Sequence, residues 1–191
     1  MSARENILSR VRDAVRAEAP RPPSPSEAPV WPPMGDAETR FREEFVALRG
    51  EIVESLPEFL AGFGKIATDD SDLVAAACGR VGMTVPVREA ELGVTSCVCL
   101  VAQTGSVVVA CRRSEERALS VLPPVHLVVA RRSQIVLDLE AALGVVRRQY
   151  GGGLPSLVSV ISGPSRTADI EKVLVLGAHG PRRLAVHFVN E

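Results

Sequence analysis

The sequence contains very little lysine and few aromatic residues. Of its 22 basic residues only Lys65 and Lys172 are lysines, and aromatics make up 4% of the chain. Lys65 lacks both the leading glycine and the following Ser or Thr of a phosphate-binding loop, which excludes that motif. A Schiff-base lysine is disfavoured by the same shortage of candidates. A formal net charge of −1 also gives no indication of nucleic-acid binding.

The chain also lacks the patterns that mark metal sites and membrane segments. None of its four cysteines, Cys78, Cys97, Cys99 and Cys111, forms a C-x-x-C pair. No His or further Cys converges on them locally, so we predict buried, reduced thiols, no metal site and no cofactor. Cys97 and Cys99 are expected on one face of a strand. No apolar run reaches the length of a membrane span, and the charged first residues predict no signal peptide.

The composition predicts one α/β domain behind a short N-terminal segment. Hydrophobic residues make up 46% of the 191 residues, enough for a core of Val, Leu, Ile and Ala. Residues 1–35 are assigned to the segment, with an amphipathic helix over 2–18 that begins with a Ser2–Glu5 capping box. Seven of the fourteen prolines then fall in residues 20–33, which predicts a stiff linker.

Residues 36–191 are expected to form a three-layer α/β domain with a mixed sheet, because helical patterns come first and strands and helices then alternate. Helices are predicted over 37–56, 58–63, 71–81 and 133–148. Strands are predicted over 84–87, 96–102, 107–111, 126–130, 157–161, 173–176 and 182–190.

Two apolar strands near the C-terminus end in polar Gly-Pro turns, the first over 162–167 and the second over 177–181. Ligands of α/β sheets lie beyond the carboxyl ends of strands. A helix beginning at Ser165 would offer free N–H groups beside a guanidinium to an anion. His179 is a candidate general acid or base. The further candidate ligand-binding residues are Ser165, Arg166, Thr167, Asp169 and Glu171. The structural alternatives are an ion pair of Arg166 with those carboxylates, or ordinary surface turns.

A second group of candidates lies upstream. Gln103, Thr104 and Gly105 form a tight turn whose peptide N–H groups are expected to complete the same pocket if the strand order brings the turn to that edge. The alternative is a plain hairpin. His126 begins a predicted strand and is either a structural histidine or a site residue.

The stretch SGPSRTADIEKVLVLGAHGP, together with TGSVVV and LSVLPPVHLVVA upstream, resembles the lactate-utilization (LUD) domain family from about Thr95 onward. The resemblance implies a fold similar to glucosamine-phosphate isomerase, ribose-phosphate isomerase and CoA-transferase. It also implies a cytoplasmic system that converts L-lactate to pyruvate with iron–sulfur partner subunits. This chain would then be a non-redox component that binds a partner or a small organic anion.

One residue departs from the family pattern. Members of the family typically have Glu before the Thr-Gly pair, where this chain has Gln103. Glutamine cannot act as a carboxylate base or nucleophile, although it can still form hydrogen bonds. The alternative function is a free-standing transferase-like or isomerase-like enzyme that uses Arg166 and His179 on a phosphorylated or CoA-bearing substrate. That alternative is supported by fold analogy alone.

Overall fold

The computed structural model describes residues 2–16, 35–79, 85–170, 173–177 and 179–189. The chain forms two compact units, Met1–Pro33 and Met34–Glu191. In the first unit, α1 spans Ala3–Arg16. The Ser2 N–H donates to Glu5 Oε2 at 2.6 Å and the Glu5 N–H donates to Ser2 Oγ at 3.3 Å, which confirms the predicted helix and its capping box. The predicted proline-rich linker lies outside the described residues.

The second unit contains short helices and eleven short strands within its described ranges. Its helices are α2 (Ala37–Ala47), α3 (Leu56–Ala61), α4 (Asp72–Cys78), α5 (Ser114–Leu119) and α6 (Leu139–Tyr150). Its strands are β1 (Glu51–Ile52), β2 (Ile66–Thr68), β3 (Leu92–Ser96), β4 (Cys99–Val101), β5 (Ser106–Cys111), β6 (Val125–Arg131), β7 (Ile135–Val136), β8 (Leu157–Ile161), β9 (Arg166–Ile170), β10 (Val173–Leu176) and β11 (Arg183–Val189).

The strands divide between two sheets and a hairpin. Five strands pair in the order β1-β11-β6-β3-β2, and every pair in this sheet is parallel. Four strands form a mixed sheet in the order β7-β4-β5-β8, and β9 pairs with β10. The predicted α/β class is confirmed. The predicted similarity to the isomerase and CoA-transferase folds stays a prediction.

The core is layered around the parallel sheet. One face, which includes Val128 and Val186, packs against the mixed sheet and against Phe41 and Phe45 of α2. The opposite face packs against α3 and α4, and α6 covers the outer face of the mixed sheet. Within the described ranges, no helix is both long enough and apolar enough to cross a membrane.

Several predicted boundaries are wrong. The strand predicted over 96–102 is interrupted, because β3 ends at Ser96 and β4 begins at Cys99. The helix predicted over 37–56 ends at Ala47, and a parallel edge strand follows Gly50, where a Cβ would meet the Phe45 ring at 2.4 Å. The helix predicted from 133 begins at Leu139 with Asp138 as its cap, because Ile135–Val136 pair with β4 instead. The strand predicted over 84–87 gives way to a 3-10 turn at Val87–Glu89, and its first residue lies outside the described ranges.

Candidate functional site

The turn around Ser165 is held by its own hydrogen bonds and does not begin a helix. Arg166–Ile170 form strand β9, so the predicted helix N-terminus beside Arg166 is wrong. The Ser165 N–H donates to the Pro181 carbonyl at 2.8 Å, and the Ser165 carbonyl accepts from the Gly177 N–H at 2.9 Å. Its hydroxyl accepts from the His179 N–H at 3.4 Å. The two polar turns are therefore neighbours. We call residues 162–165 and 177–182 the C-terminal turns.

The C-terminal turns lie at the amino-terminal edge of the parallel sheet. The Pro124 carbonyl, just before β6, accepts from the N–H groups of Arg182 and Arg183 at 2.8 and 3.3 Å. Arg183 begins β11, which runs parallel to β6. The strands that lead into these turns belong to the mixed sheet and to the β9–β10 hairpin. The turns follow the carboxyl ends of β8 and β10, as expected, but neither strand belongs to the parallel sheet.

Arg166 and His179 are both exposed, and Arg166 lies opposite Leu176 in the hairpin. Thr167 and Asp169 also lie in β9, and Glu171 falls outside the described residues.

The Thr104–Gly105 turn approaches the C-terminal turns through a chain of hydroxyl groups. Thr104 Oγ1 lies 2.8 Å from Ser106 Oγ, which lies 2.7 Å from Ser162 Oγ. The turn connects the antiparallel strands β4 and β5, so the plain-hairpin alternative describes its backbone. The Gln103 N–H donates to the Leu137 carbonyl at 3.0 Å, and its buried Nε2 has no partner among the described residues.

The glycines of these turns serve close packing against the C-terminal end of α2. Gly105 has φ +57°, and a Cβ there would lie 2.4 Å from the Phe45 backbone nitrogen. Gly163 has φ +87°, and a Cβ there would lie 2.6 Å from the Leu48 carbonyl oxygen. Because protein backbone fills the space beside each glycine, a ligand has no access from that side.

His126 is fully buried in the central strand β6, between the two sheets. Its Nε2 lies 2.9 Å from Thr95 Oγ1, and its Nδ1 has no partner within the described ranges. Burial lowers the pKa of His126 to about 4, so the imidazole is neutral at physiological pH. The histidine therefore belongs to a buried polar pair with Thr95, apart from the contacts that hold the C-terminal turns.

A polar cavity lies elsewhere, at the carboxyl ends of β2 and β3. From these neighbouring strands the chain leaves on opposite sides, because α4 packs on one face and the mixed sheet on the other. Ligands of open α/β sheets bind at such a switch point. The cavity has a volume of about 280 Å³. We call it the switch-point cavity; its polar lining includes Asp69, Thr95, Ser96, Cys97, Gln149 and Tyr150.

Asp69 ties the two strand ends together. Its carboxylate accepts from the Ser96 N–H at 2.7 Å and from Ser96 Oγ at 3.0 Å. It also accepts from the N–H and hydroxyl of Ser71 at 3.0 and 2.6 Å. Ser71 in turn caps α4 by accepting from the Val74 N–H at 3.3 Å. Asp69 therefore fixes the shape of the cavity wall.

The charged groups at the cavity are predominantly acidic. Asp69, Asp70 and Glu116 line it, and no Lys or Arg side chain is among the lining residues in the described part of the chain. Arg113 at the rim pairs with both Asp70 and Glu116. Its hydrogen bond and charge hold the pKa of Glu116 below the usual range. Arg112, whose guanidinium lies 5.5 Å from the centre of the Tyr150 ring, Arg113 and Arg117 lie outside the lining, so the lining residues themselves carry an excess of negative charge.

Protonated donors complete the lining. Burial raises the pKa values of Cys97 and Cys111. Cys99 and Asp69 add to the effect at Cys97, whereas at Cys111 the raising effect of Glu116 is opposed by Arg117. Burial likewise raises the pKa of the Tyr150 phenol. These groups are uncharged hydrogen-bonding groups at neutral pH, and the thiols are poor nucleophiles. Within the described ranges, no cluster of three or more His, Cys, Asp or Glu side chains is arranged to hold a metal ion.

Comparison with known proteins places both regions within one recognised family. The LUD domain model matches residues 65–189, about two thirds of the chain. The chain belongs to the LUD domain family. The matched range contains the switch-point cavity and the C-terminal turns, whereas α1, α2 and α3 precede it.

Several curated proteins are similar to this sequence. "Lactate utilization protein C" of Geobacillus kaustophilus is 34% identical over 117 residues, which are 60% of this chain and 48% of that protein. The protein of the same name from Deinococcus radiodurans is 38% identical over 121 residues, or 58% and 56% of the two chains. The chain spans about half the length of the curated relatives it matches. A crystal structure of a DUF162 family protein from Deinococcus radiodurans aligns with a TM-score of 0.48 and 19% identity, covering 81% of this chain and 96% of that chain.

Sequence patterns did not predict the LUD domain's switch-point cavity, although a local signal for it exists. Asp69-Asp70-Ser71 follow one short strand, and Ser96 ends its neighbour, with Cys97 directly after it. Polar residues directly after adjacent parallel strands mark a switch point. The signal was missed because β2 has only three residues and was not predicted. Cys97 was also expected within a strand beside Cys99, but it lies between β3 and β4 and lines the cavity.

Proposed function

We propose that this chain is a component of a lactate-utilization system. The observation that carries the proposal is the LUD family match over residues 65–189, together with similar proteins that bear the name "Lactate utilization protein C". Within that system, the chain acts as a non-redox component of L-lactate oxidation to pyruvate in the cytoplasm. The electrons pass to iron–sulfur partner subunits.

The chemistry of the cysteines supports a non-redox role for this chain. Iron–sulfur clusters are held by cysteine thiolates at close spacings. Here no C-x-x-C pair exists in the sequence, and burial raises the pKa of Cys99 to about 11. Cys97 and Cys111 are shifted in the same direction, so these three thiols remain protonated at neutral pH. Cluster chemistry is therefore assigned to the partner subunits.

Helix α1 is the proposed contact with those subunits. Ile7, Val11 and Val15 recur every four residues and are 61%, 52% and 79% exposed. An apolar stripe on a helix gains free energy when another apolar surface covers it. Asn6 lies on the opposite side of the same helix, so it offers a matched position for control substitutions.

Affinity purification of the tagged full chain from cells growing on L-lactate tests the partner assignment. We expect iron–sulfur subunits to co-purify with the unchanged chain and with Asn6→Asp, and to be lost with Val11→Asp. Circular dichroism of both variants checks that α1 still forms. Recovery of no iron–sulfur subunit with the unchanged chain would overturn the assignment.

Growth of a deletion strain tests the broader role. We expect the strain to lose growth on L-lactate as sole carbon source, to keep growth on pyruvate, and to recover when the chain is supplied. Unimpaired growth on L-lactate would remove the proposed role in lactate utilization.

The C-terminal turns are the proposed contact for a small organic anion. Exposed Arg166 supplies a guanidinium beside Ser165, whose hydroxyl is hydrogen-bonded to the His179 backbone. Guanidinium groups bind carboxylates in a planar, two-pronged geometry. Lactate and pyruvate both carry such a carboxylate, which is why the anion contact is placed here and not in the acidic cavity.

A further inference from the structure

The buried pair of Thr95 and His126 requires a physical reason. His126 is completely buried and Thr95 is 6% exposed, between two sheets whose other facing residues are mostly apolar. Burying polar groups is costly unless they are hydrogen-bonded, and one nitrogen of this histidine has no partner in the described part of the chain. An apolar pair of similar volume would pack there without that cost.

The unpartnered nitrogen indicates which tautomer is present. If Nδ1 carried the proton, a buried N–H would lack an acceptor, which is rarer in proteins than an unsatisfied acceptor. We therefore assign the proton to Nε2, which then donates to Thr95 Oγ1 across 2.9 Å. The hydroxyl hydrogen of Thr95 is consequently free to be donated elsewhere. Thr95 lines the switch-point cavity, so an acceptor placed there can receive it.

The charges around the cavity restrict what that acceptor can belong to. Three carboxylates line the cavity, and the rim arginine, Arg113, already pairs with two of them. A ligand carboxylate or phosphate would be repelled by Asp69, whose own four hydrogen-bond donors come from the protein. The apolar part of the wall, which includes Val98, Val109 and Ala110, favours a ligand with a hydrocarbon portion.

We infer that the switch-point cavity binds a small polar molecule without negative charge, and that the Thr95 hydroxyl, oriented by His126, donates a hydrogen bond to it. The volume of about 280 Å³ suits a molecule with a single ring or a short chain, close to the lower limit of common ligand pockets. His126 is a positioning residue here, because it acts through Thr95. The inference does not rest on the proposed role in lactate utilization.

Pairs of probes that differ only in charge test this site. The full chain is titrated with benzamide and benzoate, and then with L-lactamide and L-lactate, while backbone amide shifts are followed by NMR. We expect each amide to shift the signals of Ser96 and Cys97 and to bind at least about tenfold more tightly there than its carboxylate partner. Equal or tighter binding of either carboxylate in the cavity would overturn the charge assignment.

Two substitutions separate the cavity from the rest of the surface. Ala110→Leu fills the cavity and should abolish benzamide shifts at Ser96, whereas Ala61→Leu, on an exposed helix end, should leave them unchanged. Thr95→Val should weaken benzamide about tenfold, and Thr95→Ser should restore it, because only the hydroxyl is required. Benzamide binding that survives Ala110→Leu, or that shifts only residues elsewhere, would overturn the site.

Discussion

The C-terminal turns and the switch-point cavity are both rich in polar residues, but their polar groups are used differently. In the turns, the backbone groups of Ser165 bond to Pro181 and Gly177, and the space beside Gly163 is filled by the chain itself. In the cavity, Asp69 bonds to the protein while Thr95 and neighbouring donors face open space. A polar, glycine-rich turn can therefore be a structural joint, and a ligand site requires unfilled volume at the strand ends.

The two regions also differ in charge and in position on the sheet. The turns lie at the amino edge, and exposed Arg166 follows them directly as the first residue of β9. The cavity lies at the carboxyl edge with three carboxylates. Under the two proposals above, one domain has an anion contact at one edge of the parallel sheet and a pocket that repels anions at the opposite edge. We expect small anions to bind at the C-terminal turns and neutral molecules to bind in the switch-point cavity.

The largest expected effect comes from the glycine at the joint between α2 and the β4–β5 turn. Gly105→Ala should lower the free energy of unfolding by about 3 to 4 kcal/mol, because positive φ is strained for alanine and the new Cβ meets the Phe45 backbone at 2.4 Å. Gly152→Ala is the control, since nothing lies within 4 Å of its Cβ position. Denaturant unfolding measures both variants. A Gly105→Ala variant as stable as the control would mean that the turn is free to adapt to a ligand.

A substitution in the wall of the switch-point cavity should lower the free energy of unfolding nearly as much as Gly105→Ala. Asp69→Ala removes four hydrogen bonds to a charged acceptor, and we expect a loss of about 3 kcal/mol in the free energy of unfolding. Asp72→Ala, an exposed carboxylate in the first turn of α4, should cost less than about 1 kcal/mol. If the two variants lost equal stability, Asp69 would not be the element that joins the ends of β2 and β3.

His126 gives the cavity side of the molecule a dependence on pH. Its native pKa of about 4 lies below the unfolded value of about 6.5, so the unfolded chain binds the proton first as the pH falls. The contribution of His126 to the free energy of unfolding is fully present above about pH 6.5 and is lost as the pH falls toward about 4. We expect a loss of about 2 kcal/mol between about pH 7.5 and pH 5.

The same measurement is made on His126→Phe. In this variant the free energy of unfolding should vary less with pH between about pH 7.5 and pH 5. Carboxylates that titrate in both proteins cancel in the comparison. An unchanged slope in the variant would show that His126 does not remain neutral in the folded chain.

The sequence alone was sufficient to predict those elements that are marked by a local run or alternation of apolar residues. The runs that form β5, β6 and β8 and the alternation of Leu184, Val186 and Phe188 in β11 were all predicted, and those three side chains are buried. Capping residues also act locally, which is why the Ser2–Glu5 capping box was predicted correctly. Residue propensity and hydrophobic periodicity were sufficient to predict these elements, because the pattern that identifies each one lies within its own residues.

Elements stabilised by distant partners were not predictable in the same way. The strands β1 and β2 have two and three residues and exist because longer parallel strands pair with them. Arg166–Ile170 became a strand because Val173–Leu176 returns beside it. The cavity combines residues from 69 to 150, so no single segment carries its signal. These strands and the cavity depend on pairing between segments that are distant in the sequence, and a short stretch of sequence carries no information about such pairing.

The smallest expected change in stability belongs to the residue with the clearest proposed ligand contact. Arg166→Ala should change the free energy of unfolding by less than about 0.5 kcal/mol, because the side chain is exposed. The same substitution should weaken L-lactate binding about tenfold, whereas Arg147→Ala on an exposed part of α6 makes the same charge change without that loss. Isothermal titration with L-lactate, a sugar phosphate and CoA measures the binding. Equal L-lactate affinity in both variants would remove the anion contact from the C-terminal turns. Binding of the sugar phosphate or CoA that Arg166→Ala abolishes would instead favour the enzyme alternative.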